Sequence, residues 1–127
     1  MLKLMGSHFI LLIMLVLFSG SALFANKSSV KIDIPAEVKK GEKILIKVTV
    51  SHNGNNVIHY TDWVYVKAGN KEIARWEYSM FSRPDSEVFT KEVTYTVKET
   101  VEIEAQANCN LHGSAGKGTV TVKVMGD

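Results

Sequence analysis

Four side chains in this sequence could share one chemistry: Cys109, His112, His59 and His52. Cys109 is the sole cysteine among 127 residues. It opens the run Cys109-Asn110-Leu111-His112-Gly113, which sets a thiolate and an imidazole three residues apart on a tight turn. Such a turn lets both side chains point into one coordination sphere, and Gly113 allows the backbone to bend. His52 and His59 bracket the loop Asn53 to Ile58, so a second pair can converge from another edge. Imidazole with one thiolate suits iron, copper or zinc. The plainer reading of each residue is a surface or hydrogen-bonded histidine and a buried structural thiol.

Strands must position these groups. Residues 30–34, 44–50, 57–66, 73–78, 88–97, 101–107 and 119–124 alternate apolar and polar side chains with period two. Turn-forming pieces separate them: Lys40-Gly41, Asn53-Gly54-Asn55-Asn56, Gly69-Asn70, Arg83-Pro84-Asp85, and Gly113 to Gly118. No segment carries a helical stripe. The pattern predicts an all-β, immunoglobulin-like β-sandwich of about seven strands. Alternation places Val101, Ile103, Ala105 and Ala107 on one face, and Cys109 with them if the strand persists. The same rule puts His59, Thr61, Trp63 and Tyr65 on a shared face. Trp63, Trp76, Tyr65 and Phe89 are expected in the core rather than on a binding platform. Glu102 and Glu104 are expected on a solvated strand face. No phosphate loop, nucleophile elbow or paired-carboxylate motif is present.

The N-terminal 25 residues are expected to form a signal peptide. Lys3 precedes an unbroken apolar run, Phe9 to Phe18, followed by a small-residue stretch ending at Ala25. The run is shorter than the roughly 20 residues of a membrane span. Cleavage after Ala22 or Ala25 is expected to leave one domain, residues 26–127, with no membrane span, in a periplasmic or extracellular location. That domain has 14 basic and 13 acidic residues, interspersed, which argues against nucleic acid as a partner. A lone cysteine excludes an internal disulfide.

The sequence resembles the iron-binding domain of the desulfoferrodoxin and superoxide reductase family over Lys27 to Val124. Cys109-Asn110-Leu111-His112-Gly113 matches the family's Cys-Asn-[Ile/Leu]-His-Gly. His59-Tyr60-Thr61-Asp62-Trp63 matches its His-His-x-x-[Trp/Tyr] strand. Ile34 to Gly41, followed by a strand ending at His52, is the third match. The resemblance implies an immunoglobulin-like sandwich holding one iron, with Cys109 as axial thiolate and His52, His59 and His112 as equatorial ligands. It implies one-electron reduction of superoxide to hydrogen peroxide, and an electron-donor protein to re-reduce the metal. Counting back from Pro35 puts Lys27 on the family's superoxide-attracting lysine. The same count puts Ser28 where the family has a fourth histidine.

Two other readings compete. The Cys109-x-x-His112 spacing is similar to the copper loop of cupredoxin electron carriers, although Lys117 stands at their methionine position. The Pro35 to His52 stretch resembles the metal-free sandwich subunit of sulfur-oxidation carrier complexes, which lacks the Cys-Asn-Leu-His-Gly turn.

Overall fold

The computed structural model describes residues 26–126; the expected signal peptide and its cleavage site lie outside them. The strands are β1 (Ser29–Asp33), β2 (Glu37–Val38), β3 (Glu42–Ser51), β4 (Thr61–Ala68), β5 (Lys71–Glu77), β6 (Val88–Val97), β7 (Val101–Cys109) and β8 (Gly118–Val124). They form two sheets, in the orders β1-β3-β6 and β2-β8-β7-β4-β5. Among the named strands of the described residues, β2 alone pairs in parallel, against β8. The fold is the open, all-β sandwich that the alternation predicts. The strand missing from that expectation is β2, whose two residues are too few to show a period.

The inner faces follow the alternation. On β3, Ile44, Ile46, Val48 and Val50 point inward and are buried. Val64, Val66, Ile103, Ala105, Ala107 and Val122 meet them from the other sheet. β-branched residues dominate this interface because their stiff side chains suit a pleated, half-buried surface. Small Ala105 and Ala107 lie in this buried layer with the bulkier valines and isoleucines. As expected, β7 runs to Cys109, whose side chain stays on the inner face at 1% exposure.

Several expectations for this strand fail, among them a core place for Trp63. Thr61 does not share a face with Trp63 and Tyr65. The β4–β7 register shifts between Thr61 and Trp63, with Thr61 opposite Cys109 and Trp63 opposite Asn108. Asp62 is thus the extra residue of a β-bulge, and a bulge reverses the parity of the side chains that follow. Thr61 turns inward and is fully buried, as are Val64 and Val66. Trp63 and Tyr65 stack on the outer face, with ring centroids 5.6 Å apart. Asn108 Nδ2 donates to Asp62 Oδ1 at 2.8 Å, and the Tyr78 amide donates to the Asp62 carbonyl at 2.8 Å, so the bulge is stitched on both sides. Residues 57–60, expected at the start of this strand, belong instead to the preceding loop.

The antiparallel order brings the end of β3, the start of β4 and the end of β7 to the same end of the sandwich. The loops 52–60 and 110–117 therefore meet there, beside the start of β1.

Candidate metal centre

The Cys109 turn is a closed backbone loop. The Cys109 amide donates to the Gly113 carbonyl at 2.9 Å, and the Gly113 amide returns a bond to the Cys109 carbonyl at 2.9 Å. Gly113 has φ of +80°, a left-handed value that costs a side-chain-bearing residue about 1–2 kcal/mol. This closure folds His112 back over the sulfur. The His112 amide points at Cys109 Sγ at 3.4 Å, and His112 Nδ1 lies 3.7 Å from it.

The 52–60 loop brings the other two imidazoles. Asn56 Oδ1 accepts the amides of Ile58 and His59, at 3.0 and 2.9 Å, an Asx-type turn that presents the His59 ring. Asn110 joins this loop to the cysteine turn. Its Oδ1 accepts from the Tyr60 amide at 2.9 Å, and its Nδ2 donates to the Ile58 carbonyl at 2.9 Å.

Three of the expected ligands, His52, His59 and Cys109, form one cluster, and His112 adjoins it through His59 and Cys109. His59 Nε2 lies 3.0 Å from His52 Nε2 and 3.0 Å from His112 Nδ1. The rings meet edge to face, at 75° and 86°. Ligand atoms of His52, His59 and Cys109 all lie within 4.8 Å of one another. His52 is buried at 2% exposure, Cys109 at 1%, and His112 stands exposed at the rim.

Hydrogen positions decide what these contacts mean. Asn55 Oδ1 accepts the Thr61 amide at 2.9 Å, and Asn55 Nδ2 donates to the Ser86 carbonyl at 2.8 Å, so the orientation of this amide is assigned by its partners. Oδ1 is 2.8 Å from His52 Nδ1, which must then carry the proton. His52 Nε2 is left as a bare lone pair. The His59 ring bonds the backbone of Asn26. Its Nε2 faces both other histidines, at 3.0 Å from each. His59 Nε2 can take a hydrogen from His112, but none from His52. Two imidazole nitrogens thus face each other at 3.0 Å. A cation between them would take a bond from each. Metal–imidazole bonds of about 2.0–2.1 Å at right angles place neighbouring nitrogens about 3 Å apart, which is the observed spacing. Burial, then the neighbouring His52, holds the His59 imidazole below its ordinary pKa of 6.5, against the opposing Asn26 contact. A neutral ring is the form that binds metal. The residues therefore fit a single transition metal with imidazole and thiolate donors.

The remaining expectations fall as follows. Lys27 lies beside this set, lining with His52, Ser29 and Glu87 a cleft of about 250 Å³. Ser28 is fully buried, and its Oγ lies 2.9 Å from the buried Thr61 Oγ1. Its carbonyl accepts the Ala115 amide at 2.9 Å, locking the chain before β1 against the segment after the cysteine turn. Sequence reasoning gave no role to Asn55 or Asn56. The only available signal was the density of asparagine between two histidines.

A β-sandwich with three imidazoles and a thiolate gathered at one end defines a class: non-haem metal proteins with a mixed nitrogen and sulfur site. The desulfoferrodoxin family model matches residues 21–115, and the chain belongs to that family. Solved structures agree in fold. A variant of superoxide reductase (neelaredoxin) from Ignicoccus hospitalis superimposes with a TM-score of 0.66 and 22% identity, covering 79% of this chain and 82% of that one. Superoxide reductase (neelaredoxin) from Archaeoglobus fulgidus in the reduced form gives 0.53 and 18%, covering 76% and 89%. No curated protein matches the sequence.

Proposed function

We propose that this chain holds one iron through His52, His59, His112 and Cys109 and reduces superoxide by one electron to hydrogen peroxide. The observation that carries the reading is the pair of facing imidazole nitrogens of His52 and His59 beside the buried Cys109 thiol, in a member of the desulfoferrodoxin family. When bound, iron supplies the single electron, cycling between its ferrous and ferric states. Overall, one superoxide, one electron and two solvent protons give one hydrogen peroxide. The three imidazoles are neutral donors, and the Cys109 thiolate adds one negative charge that stabilises the ferric state. The His112 amide directed at Sγ moderates that charge. Lys27, which lines the cleft with His52, draws the superoxide anion towards the site. An electron-donor protein restores the ferrous state.

Export to the periplasm or the cell exterior belongs to this proposal and rests on the layout of residues 1–25. Terminal sequencing of the protein from fractionated cells tests it; an intact Met1 on cytoplasmic protein would overturn it.

The copper-carrier reading loses its weakest link. Lys117, at the methionine position, points its ammonium to Glu104 at 3.8 Å rather than to the cluster. Purified protein is expected to contain one iron per chain and, when oxidised, a thiolate-to-ferric band in the red. It is expected to consume superoxide without releasing oxygen, and His59→Ala to abolish this. A wild type no faster than buffer would sink the enzyme assignment.

A further inference from the structure

We propose that Asn55 is a positioning residue of the metal centre: it dictates which nitrogen His52 offers. Three groups converge on its side-chain amide. Oδ1 takes the Thr61 amide at 2.9 Å and faces His52 Nδ1 at 2.8 Å, and Nδ2 donates to the Ser86 carbonyl at 2.8 Å. The two backbone partners belong to β4 and to the loop before β6, so they hold the amide plane independently of the histidine. With Oδ1 committed as an acceptor, His52 keeps its proton on Nδ1 and aims a lone pair from Nε2 at the shared centre with His59.

Among the described residues, no other partner of the His52 ring could do this. Its remaining contact is the His59 ring itself. Without an acceptor at Nδ1, the free imidazole would place a proton on Nε2, where it could donate to His59 Nε2. That hydrogen bond would occupy the direction the metal needs. Asn55 thus prevents His52 Nε2 from donating to His59 and keeps the site receptive. Outer partners of this kind typically contribute 10–100-fold to metal affinity.

The inference rests on His52 being a metal ligand, and its test avoids both iron and superoxide. Ring nitrogen shifts of His52 are read by 15N NMR in the metal-free full-length protein, and affinity is read with zinc against a competing chelator. Asn55→Ala removes the acceptor and the Ser86 link together. Asn55→Asp keeps an acceptor for His52 and removes only the donor to Ser86. The expected result is an Nδ1–H tautomer in the wild type and in Asn55→Asp. In Asn55→Ala the proton shifts to Nε2 and zinc binds about 10–100-fold more weakly. Asn55→Asp retains zinc to within a few-fold. An Nε2–H tautomer in the wild type overturns the proposal, even if a variant fails to fold. So does equal zinc affinity in Asn55→Ala and wild type, or an equal loss in both variants, which would mark Asn55 as a loop anchor only. A wild type inert towards superoxide would count against the proposed function and leave this result standing.

Discussion

The two ends of the sandwich are built differently. At the far end, turns are short and closed by backbone. Gly69 and Asn70 join β4 to β5, with the Gly69 amide on the Glu102 carbonyl at 2.9 Å. Gly41 precedes β3, with its amide on the Val97 carbonyl at 2.7 Å. At the metal end, loops 52–60 and 110–117 are longer, and their backbones are tied by the side chains of Asn55, Asn56 and Asn110. That end also leaves Val57, Ile58, Met80, Phe81, Val88 and Leu111 exposed, whereas Leu45 and Met125 are the only other exposed large apolar residues among the described ones. Backbone turns suffice to close a sheet. Aiming three rings and a sulfur at one point requires side-chain hydrogen bonds, and it leaves apolar surface uncovered.

If the core holds the fold and the loops hold the site, the two can be broken separately. The largest effect is expected from Ile103→Ala. Ile103 is fully buried, six residues along β7 from Cys109, or about 20 Å. The cavity should cost about 2–5 kcal/mol in a urea titration while zinc affinity in the folded fraction stays unchanged. A parallel loss of metal affinity would dissolve the distinction between the two ends.

Cys109→Ala should behave oppositely. The small side chain is tolerated in a layer already containing Ala105 and Ala107, but zinc affinity should fall by about 100-fold or more, since a ligand matters more than its outer partners. Chelator competition and urea midpoints on the same samples decide it. Asn110→Ala should lie between the two. It frees the Tyr60 amide and the Ile58 carbonyl, so about 1–2 kcal/mol of stability should be lost. Hydrogen exchange should speed up in residues 56–60 and remain unchanged at Gly69. An equal acceleration at both would show that the loop is not a local unit.

The smallest effect concerns pH. His59 is held below its ordinary value, so near and below pH 6.5 the unfolded chain binds more protons than the native one. Stability of the metal-free protein should therefore rise with pH across that window and fall as pH drops through it. His59→Gln should flatten the dependence in urea midpoints taken from pH 8 to 5.5. A wild-type midpoint that rises on acidification would contradict the sign.

The strands of the core were legible because a half-buried strand writes its burial into alternate residues; β3 and β7 match their alternation almost residue for residue. The parity of β4 was not legible. A bulge at Asp62 adds one residue without changing composition, and only pairing with β7 reveals it. Cys109 and His112 could be placed near each other from spacing alone, since three residues on a tight turn leave little freedom. Asn55 was not visible as a partner of His52, because its role depends on where the Thr61 amide and the Ser86 carbonyl lie.

By itself, then, the sequence determined the layer architecture, the inward position of Cys109 and the candidates from which the His52, His59 and Cys109 cluster is drawn. Local periodicity and short spacing are properties of neighbouring residues. Tertiary structure alone decided that His52, His59 and His112 meet at 3.0 Å steps. It also decided that Ser28 is buried against Thr61. Those facts depend on contacts between residues dozens of positions apart, and they exist only once the two sheets have closed on each other.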